Sequence, residues 1–342
     1  MFKKSSVRNA VIVLSSLLII IALVFGVVGC QKTQTKEETE EKVTEKVEEK
    51  DTLEGDLIVF HAGSLKEPFE ILKEEFEKEH PNVNVLLEGA GSLDCAKKIC
   101  ELKKNCDVMA SADYTVIDEL LKPDYADWNV KFASNRMVIT YTDKSKYADE
   151  ITKDNWYETL QRDGVLYGHS DPDSDPCGYR ARQVFQLAEI YYGVDGLNQA
   201  LIDHCPEENI RPKSVELISL LQSGDLDYAF EYLSVAKQHG LKILELPEEI
   251  NLEKEELADI YAQASITLAD GKTQKGKFIV YGVTIPKNSE NPEVAMAFVK
   301  MLLSEKGQKI MDDSGQPPYD PPLTKDADTL PLELEDLVEI EG

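Results

Sequence analysis

The stretch that decides the fold is SDPDSDPCGYR, which runs from Ser170 to Arg180. It places three carboxylates and two prolines in one loop, and a helical pattern of apolar residues follows directly. Pro176 suits the first turn of a helix, so the loop is predicted to deliver Asp175 to a helix N-terminus. A helix N-terminus attracts anions, yet a negative side chain already stands there. The loop therefore indicates either an ordinary helix cap at Asp175 or a binding site that needs a carboxylate.

The same loop partly matches a calcium-binding loop. Asp171, Asp173 and Asp175 have the odd spacing of an EF-hand. Pro176 stands where the glycine of that motif is needed, and Arg182 stands where its bidentate Glu belongs. The sequence thus argues against an EF-hand site.

On both sides of this loop, short apolar runs alternate with helical patterns. The predicted strands include 57–60, 83–87, 107–110, 137–141, 165–168, 228–232 and 278–285. A last helix is expected from Pro292 to Ile310, with little after it. This alternation is typical of an α/β protein with mainly parallel sheets.

Two such α/β units, joined by long strands, predict two lobes with a cleft between them. We expect one lobe to comprise 56–135 and 275–325, the other to comprise 136–274, and 326–342 to form a C-terminal tail. Ligands of open α/β sheets bind at the carboxyl ends of the strands. The turns at Gly63-Ser64, Gly91-Ser92 and Asp175–Gly178 are all expected there.

The first 30 residues resemble a signal segment. Basic residues precede an apolar run over 10–28, and Cys30 follows small residues in the manner of a lipobox. We expect lipid attachment at Cys30, with an uncleaved transmembrane anchor as the alternative. Residues 31–55 are polar and charged and are predicted to be a solvated tether. Either anchor places the rest of the chain outside the cytoplasm, held at the cell membrane.

The formal net charge of −27 argues against nucleic acid as a partner, because phosphates would be repelled. Any anion site must therefore act locally, through backbone dipoles and hydroxyl groups. No C-x-x-C pair is present, which disfavours zinc and iron–sulfur sites. Cys100 and Cys106 fit either a small disulfide or free buried thiols.

Serine residues stand at three predicted helix starts. These are Ser64, Ser92 and Ser214. Each alone is most simply an N-cap. Together with the turn at Asp175, four helix N-termini in one cleft would provide many donors for a small oxyanion.

Five motifs together resemble the archaeal molybdate/tungstate-binding lipoproteins, which are the substrate-binding components of ABC importers. The motifs are FHAGSL (60–65), ASADY (110–114), DPCGYR (175–180), SVAKQH (234–239) and IVYGVTIP (279–286). The resemblance covers about 57–321. It implies a two-lobed periplasmic-binding-protein type II fold, a monomer without enzymatic activity or resident cofactor, and a membrane permease as partner.

The resemblance also implies a ligand site. Its ligand would be tungstate or molybdate, and its residues would be Gly63, Ser64, Ser92, Asp175, Pro176, Cys177, Ser214 and Tyr232. The family holds the metal in a distorted octahedron of four oxyanion oxygens and two protein carboxylates. Asp175 is expected to supply one of these carboxylates.

The sequence leaves the second carboxylate open, since the family usually has Glu where this chain has Ser214. Glu231 lies in an apolar predicted strand, where a buried carboxylate costs several kcal/mol unless it has a partner. We therefore expect Glu231 to be the second ligand, with Glu216 as the alternative. A solvent-facing Glu231, or ligation by one carboxylate only, fits the sequence as well.

Two other functions fit the sequence less well. A receptor for phosphate or sulfate would normally use an Arg in its site. Only Arg180 lies in the site motifs, and we expect it to pair with surface carboxylates instead. A secreted hydrolase would need a nucleophile motif, and neither a G-x-S-x-G elbow nor a Walker loop is present.

Overall fold

The computed structural model describes residues 53–341. The predicted signal segment, the lipid attachment at Cys30 and the tether up to residue 52 lie outside this range. Within residues 53–341, no helix is long and apolar enough to cross a membrane.

In chain order, the strands of the described residues are β1 (Gly55–Ala62), β2 (Val83–Ala90), β3 (Val108–Ser111), β4 (Val130–Asn135), β5 (Met137–Tyr141), β6 (Tyr167–Ser170), β7 (Ile210–Arg211), β8 (Tyr228–Tyr232), β9 (Lys242–Glu245), β10 (Ser265–Thr267), β11 (Thr273–Lys275), β12 (Ile279–Thr284), β13 (Pro318–Thr324) and β14 (Glu339–Ile340).

The α-helices are α1 (Lys66–Glu79), α2 (Ser92–Cys100), α3 (Tyr114–Val116), α4 (Trp156–Thr159), α5 (Pro176–Tyr192), α6 (Leu197–Asp203), α7 (Glu216–Ser223), α8 (Leu233–Gln238), α9 (Glu248–Asn251), α10 (Ala258–Tyr261), α11 (Pro292–Leu303) and α12 (Glu305–Asp313). A 3₁₀ turn at Gly63–Leu65 leads into α1, and a π-helical turn at Ile117–Leu121 continues α3.

Two sheets carry the helices. One has seven strands in the order β14-β13-β4-β12-β3-β1-β2, and the other has five in the order β7-β6-β8-β5-β9. The chain passes from the first sheet to the second between β4 and β5, and it returns before β12. The predicted α/β class is therefore confirmed.

The prediction of mainly parallel sheets is wrong. Parallel pairs occur where helices connect the strands, as in β1 with β2 and β3. The strands that carry the chain between the sheets run antiparallel to their neighbours, as β12 does to β3 and β4, and β5 to β8. Both β5 and β12 enter their sheets from outside, so no βαβ crossover from a neighbouring strand requires them to run parallel to it.

The C-terminal region also differs from the expectation. The single helix predicted up to Ile310 is broken at Ser304, whose hydroxyl caps α12 by accepting the N–H of Gly307. The segment expected to be a tail contributes β14 to the first sheet. Glu341 forms an ion pair with Lys131 of β4, so this segment packs against the sheet through its last described residue.

The disulfide considered between Cys100 and Cys106 is absent. All five cysteines of the described residues are free thiols, and all but Cys100 are buried.

Two buried histidines occupy related places at the ends of strands. His61 of β1 and His169 of β6 each use Nδ1 in a hydrogen bond to the carbonyl of the following residue, at 2.8 and 2.7 Å. Burial lowers the pKa of each to about 4. Both are therefore neutral in the folded protein at any pH above that value.

This predicts a loss of stability in mild acid. Below pH about 6.5 the unfolded chain binds protons at these histidines, whereas the folded chain does so only near pH 4. The contribution of these histidines to the free energy of unfolding is thus complete above pH 6.5. It falls by up to about 3 kcal/mol per histidine between pH 6.5 and pH 4. Urea unfolding across this range should show a shallower loss for His169→Asn, which keeps an N–H donor. The exposed His239→Asn is the matched control, and equal pH slopes for both variants would contradict the assignment.

Candidate functional site

The predicted turns approach one another closely. A Cβ built on Gly91 would lie 2.1 Å from the carbonyl oxygen of Ser174, so only glycine permits this approach. A Cβ on Gly63 would lie 3.4 Å from the side chain of Val215. The turns after β1 and β2 therefore contact the loop before α5 and the turn before α7.

Asp175 connects two of these segments. It is the N-cap of α5, where Oδ1 accepts the N–H of Cys177 at 3.2 Å, so the predicted helix cap is confirmed. Its Oδ2 accepts the N–H of Ser214 at 2.9 Å. Burial raises the pKa of Asp175 to about 6, although both N–H groups act in the opposite direction. The carboxylate is thus held in a dry position by two backbone donors.

Glu231 lies beside it. The side chain is fully buried in β8, so the solvent-facing alternative is wrong. Its Oε2 accepts the N–H of Tyr232 at 3.3 Å, whereas Oε1 has no hydrogen-bond partner. Burial, and then the charge of Asp175, raise the pKa of Glu231 well above its usual range. Both carboxyl groups are therefore buried and close enough to interact, and Oε1 of Glu231 has no hydrogen-bond partner.

Glu216, the alternative ligand, is placed differently. It lies in the first turn of α7, its side chain is 38% exposed, and it faces Lys213 at 3.8 Å. Helix α7 begins at Glu216 rather than at Ser214, so Ser214 lies two residues before the helix. Its backbone N–H serves Asp175, and its hydroxyl lowers the pKa of Glu231.

The N-caps expected of Ser64 and Ser92 are not formed. No side-chain hydroxyl caps the helical turns that begin at these positions. Ser64 Oγ contacts the hydroxyl of Tyr281 at 2.9 Å, and Ser92 Oγ accepts the N–H of Ala112 at 2.9 Å. Both serines are buried. Tertiary partners therefore replace the local capping bonds.

Pro176 and Cys177 differ in what they can offer a ligand. Pro176 occupies the first position of α5 and has no N–H, so it cannot be a hydrogen-bond donor. The N–H of Cys177 lies in the first turn of α5 and donates to Asp175 Oδ1. The buried thiol of Cys177 lies 4.0 Å from Glu231 Oε2, and burial raises its pKa well above the usual range.

Arg180 does not pair with surface carboxylates as expected. It is buried and forms an ion pair with Asp113 at 2.9 Å. It also donates to the carbonyl of Ala112 at 2.9 Å and to the hydroxyl of Tyr232 at 2.8 Å. Tyr179 donates a further hydrogen bond to Asp113 at 2.7 Å. This network links α5 to the loop after β3.

Sequence reasoning did not assign several residues of this region to the site. Asp113 and Tyr281 lie within the motifs ASADY and IVYGVTIP, so the signal was present without an assigned role. Asn135 ends β4 and gave no such signal. Its amide contacts Tyr281 and Ser234, both of which are distant in sequence.

Comparison with known proteins indicates both family and fold. A family model described as bacterial extracellular solute-binding protein matches residues 57–316. An uncharacterized solute-binding protein of Petrotoga mobilis is 47% identical, over 84% of this chain and 91% of the relative. The molybdate/tungstate-binding protein WtpA of Pyrococcus abyssi is 41% identical, over 94% of this chain and 97% of the relative.

Among solved structures, the periplasmic molybdate-binding protein of Azotobacter vinelandii has a similar fold. Its TM-score is 0.56 at 21% identity, over 76% of this chain and 98% of that one. The predicted two-lobed periplasmic-binding-protein fold is therefore confirmed.

The unsatisfied oxygen of Glu231 predicts that Glu231→Gln stabilises the ligand-free protein. The amide would keep an acceptor for the Tyr232 N–H and would remove a buried carboxyl group that lacks a full set of partners and is repelled by the charge of Asp175. We expect the free energy of unfolding at neutral pH to rise by about 1–3 kcal/mol. Chemical denaturation measures this free energy, and Glu216→Gln, at a partly exposed position of α7, should change it by less than about 0.5 kcal/mol. A destabilised Glu231→Gln variant would contradict the prediction.

Proposed function

The chain belongs to the bacterial extracellular solute-binding protein family, and we propose that it is the receptor of an ABC importer for molybdate and tungstate. The relative from Pyrococcus abyssi, which carries that binding function in its name, supports this ligand because it aligns with 94% of this chain. The protein would act by binding and delivery, without chemical conversion. No resident cofactor is required, since the oxyanion is the cargo.

The pair formed by Asp175 and Glu231 is the observation that carries the proposal. Two buried carboxyl groups side by side lose hydration and repel each other when both are charged. A dianion bound by hydrogen bonds alone would increase this repulsion. The arrangement becomes favourable when carboxylate oxygens bind the metal atom at the centre of the oxyanion. Molybdenum and tungsten can expand from four to six oxygen ligands, whereas the sulfur of sulfate remains tetrahedral.

Neutral donors would hold the outer oxygens of the oxyanion. Ser64, Ser92 and Tyr232 are all buried, and their hydroxyl groups can donate hydrogen bonds. The backbone at Gly63 would add an N–H group, and the N–H of Cys177 would add another by turning from Asp175 Oδ1 to the ligand, while Ser214 positions Asp175. Neutral donors suit a chain with a net charge of −27, because they need no long-range attraction.

Receptors for phosphate or sulfate are less well supported. The one arginine in the site motifs is Arg180, and its guanidinium already serves Asp113, Ala112 and Tyr232. An anion that required a free bidentate arginine would have to break this buried network.

We assign the first lobe to 56–135 and 275–325 and the second lobe to 136–274, with the oxyanion between them. The seven-stranded sheet takes β1 to β4, β12 and β13 from the first set, and the five-stranded sheet takes all its strands from the second. A monomer anchored outside the cytoplasm, by lipid at Cys30, would deliver the oxyanion to the membrane permease.

Isothermal titration tests the ligand and the carboxylates together. We expect one tungstate or molybdate per chain and at least about 100-fold weaker binding of sulfate, equivalent to about 2.7 kcal/mol. Asp175→Asn and Glu231→Gln should each weaken tungstate binding by roughly 100-fold, because each removes a charged oxygen ligand. Glu216→Gln is the matched control and should bind like the wild type. Equal binding of sulfate and tungstate would contradict coordination by carboxylates.

X-ray absorption of the tungsten complex tests the geometry directly. The wild type should show six oxygen ligands around tungsten, two more than free tungstate has. Glu231→Gln and Asp175→Asn should each lower this number. Four equal short distances in the wild type would show that the oxyanion is held by hydrogen bonds alone.

A further inference from the structure

The buried amide of Asn135 has one defined orientation. Its Oδ1 accepts the backbone N–H of Arg136 at 2.9 Å and that of Ser234 at 3.4 Å. A backbone N–H can only donate, so the atom facing these groups is the oxygen. The amide nitrogen therefore faces the hydroxyl groups of Ser234 and Tyr281, at 2.8 and 3.0 Å.

The direction of the Tyr281 proton follows from that orientation. Burial raises the pKa of Tyr281 to about 12, so the phenol keeps its proton. Its oxygen has two partners among residues 53–341, the Asn135 amide nitrogen and Ser64 Oγ at 2.9 Å. The amide nitrogen cannot accept, and a buried hydroxyl proton without an acceptor is costly. Tyr281 therefore donates to Ser64.

Ser64 is then left with one proton to give. Its oxygen accepts from Tyr281, and in the described part of the chain Oγ has no other partner. The side chain is 2% exposed, so water does not readily serve it. Its proton is therefore available to an acceptor that a bound ligand would supply.

We propose that Asn135 is a positioning residue that, through Tyr281, makes Ser64 a hydrogen-bond donor to the bound oxyanion. The inference rests on the proposed function. It adds residues that do not touch the ligand but determine which way a site proton points. Fixing this direction before binding removes the cost of reorienting the hydroxyl when the anion arrives.

The other two hydroxyl groups of the site follow the same rule. Tyr232 accepts a hydrogen bond from Arg180, which can only donate, and Ser92 accepts one from the backbone N–H of Ala112. In each case an internal donor occupies the hydroxyl oxygen and leaves the proton for another acceptor. Ser92 is independent of Asn135, which makes it an internal control.

The decisive variant is Asn135→Asp, which keeps the shape and replaces the donor with an acceptor. Tyr281 would then donate to the new carboxylate. Ser64 would either turn its proton from the ligand to Tyr281 or face that oxygen at 2.9 Å with no proton between them. We expect at least about tenfold weaker tungstate binding. Thermal unfolding of each variant verifies that it is folded.

A second substitution separates the loss of the Ser64 proton from the effect of the negative charge that Asn135→Asp adds. In the double variant Asn135→Asp with Tyr281→Phe, Ser64 no longer meets a competing oxygen, whereas the charge remains. We expect the second change to restore at least about threefold of the lost affinity. Ser92→Ala should cost the same factor with and without Asn135→Asp. No rescue, or wild-type affinity for Asn135→Asp alone, would overturn the proposal.

A pair of uncharged variants decides the case if Asn135→Asp does not fold. Ser64→Ala should weaken tungstate binding by about tenfold, while Tyr281→Phe should weaken it by less than about threefold, because Ser64 keeps its proton. Equal losses would mean that Tyr281 holds the ligand itself and would overturn the proposal. A wild type that binds no tungstate would refute the proposed function directly, before any variant is compared.

Discussion

Two buried carboxyl groups that interact electrostatically, Asp175 and Glu231, are the constraint on which the rest of the candidate site depends. Asp175 is compensated by two backbone N–H groups, one from its own helix and one from Ser214. The contacts of Glu231 Oε2 with the N–H of Tyr232 and the thiol of Cys177 are long, and its Oε1 has no hydrogen-bond partner. Folding alone gains nothing from this arrangement, since an apolar residue at Glu231 would avoid the cost. The cost becomes understandable if a ligand completes the coordination of both groups.

The fold brings these groups together from distant parts of the chain. Asp175 follows β6 and Glu231 lies in β8, and these two strands are parallel neighbours. Gly91 lets the turn after β2 approach within contact of Ser174, and the ion pair of Arg180 with Asp113 holds the start of α5 against the loop after β3. This pair is fully buried, which is tolerated because Asp113 also accepts from Tyr179, Lys277 and Thr115.

Local sequence patterns predicted β5 and β8 at their observed bounds, because both are short apolar runs between polar segments. These patterns did not determine whether the side chain of Glu231 faces the core or the solvent. Alternation along a strand separates two faces, but every residue of β8 is buried, so the pattern could not tell a core face from solvent. The capping bonds expected at Ser64 and Ser92 were wrong because tertiary partners compete for the same hydroxyl groups. Asn135 was missed because its partner Tyr281 lies 146 residues away.

The distribution of charged groups around the candidate site bears on how the protein would distinguish tungstate from sulfate. A cleft lined with free cations would attract every anion, and sulfate would compete with a scarce oxyanion. Here the buried guanidinium of Arg180 is neutralised by Asp113 and acts through the hydroxyl of Tyr232. Under the proposed function, the ligand would meet neutral donors and two carboxyl groups, so attraction by charge would be weak for any anion. Under the proposed function, binding becomes favourable only for an anion whose central atom accepts the carboxylate oxygens as ligands. Selectivity then depends on coordination number rather than on charge, which sulfate and tungstate share.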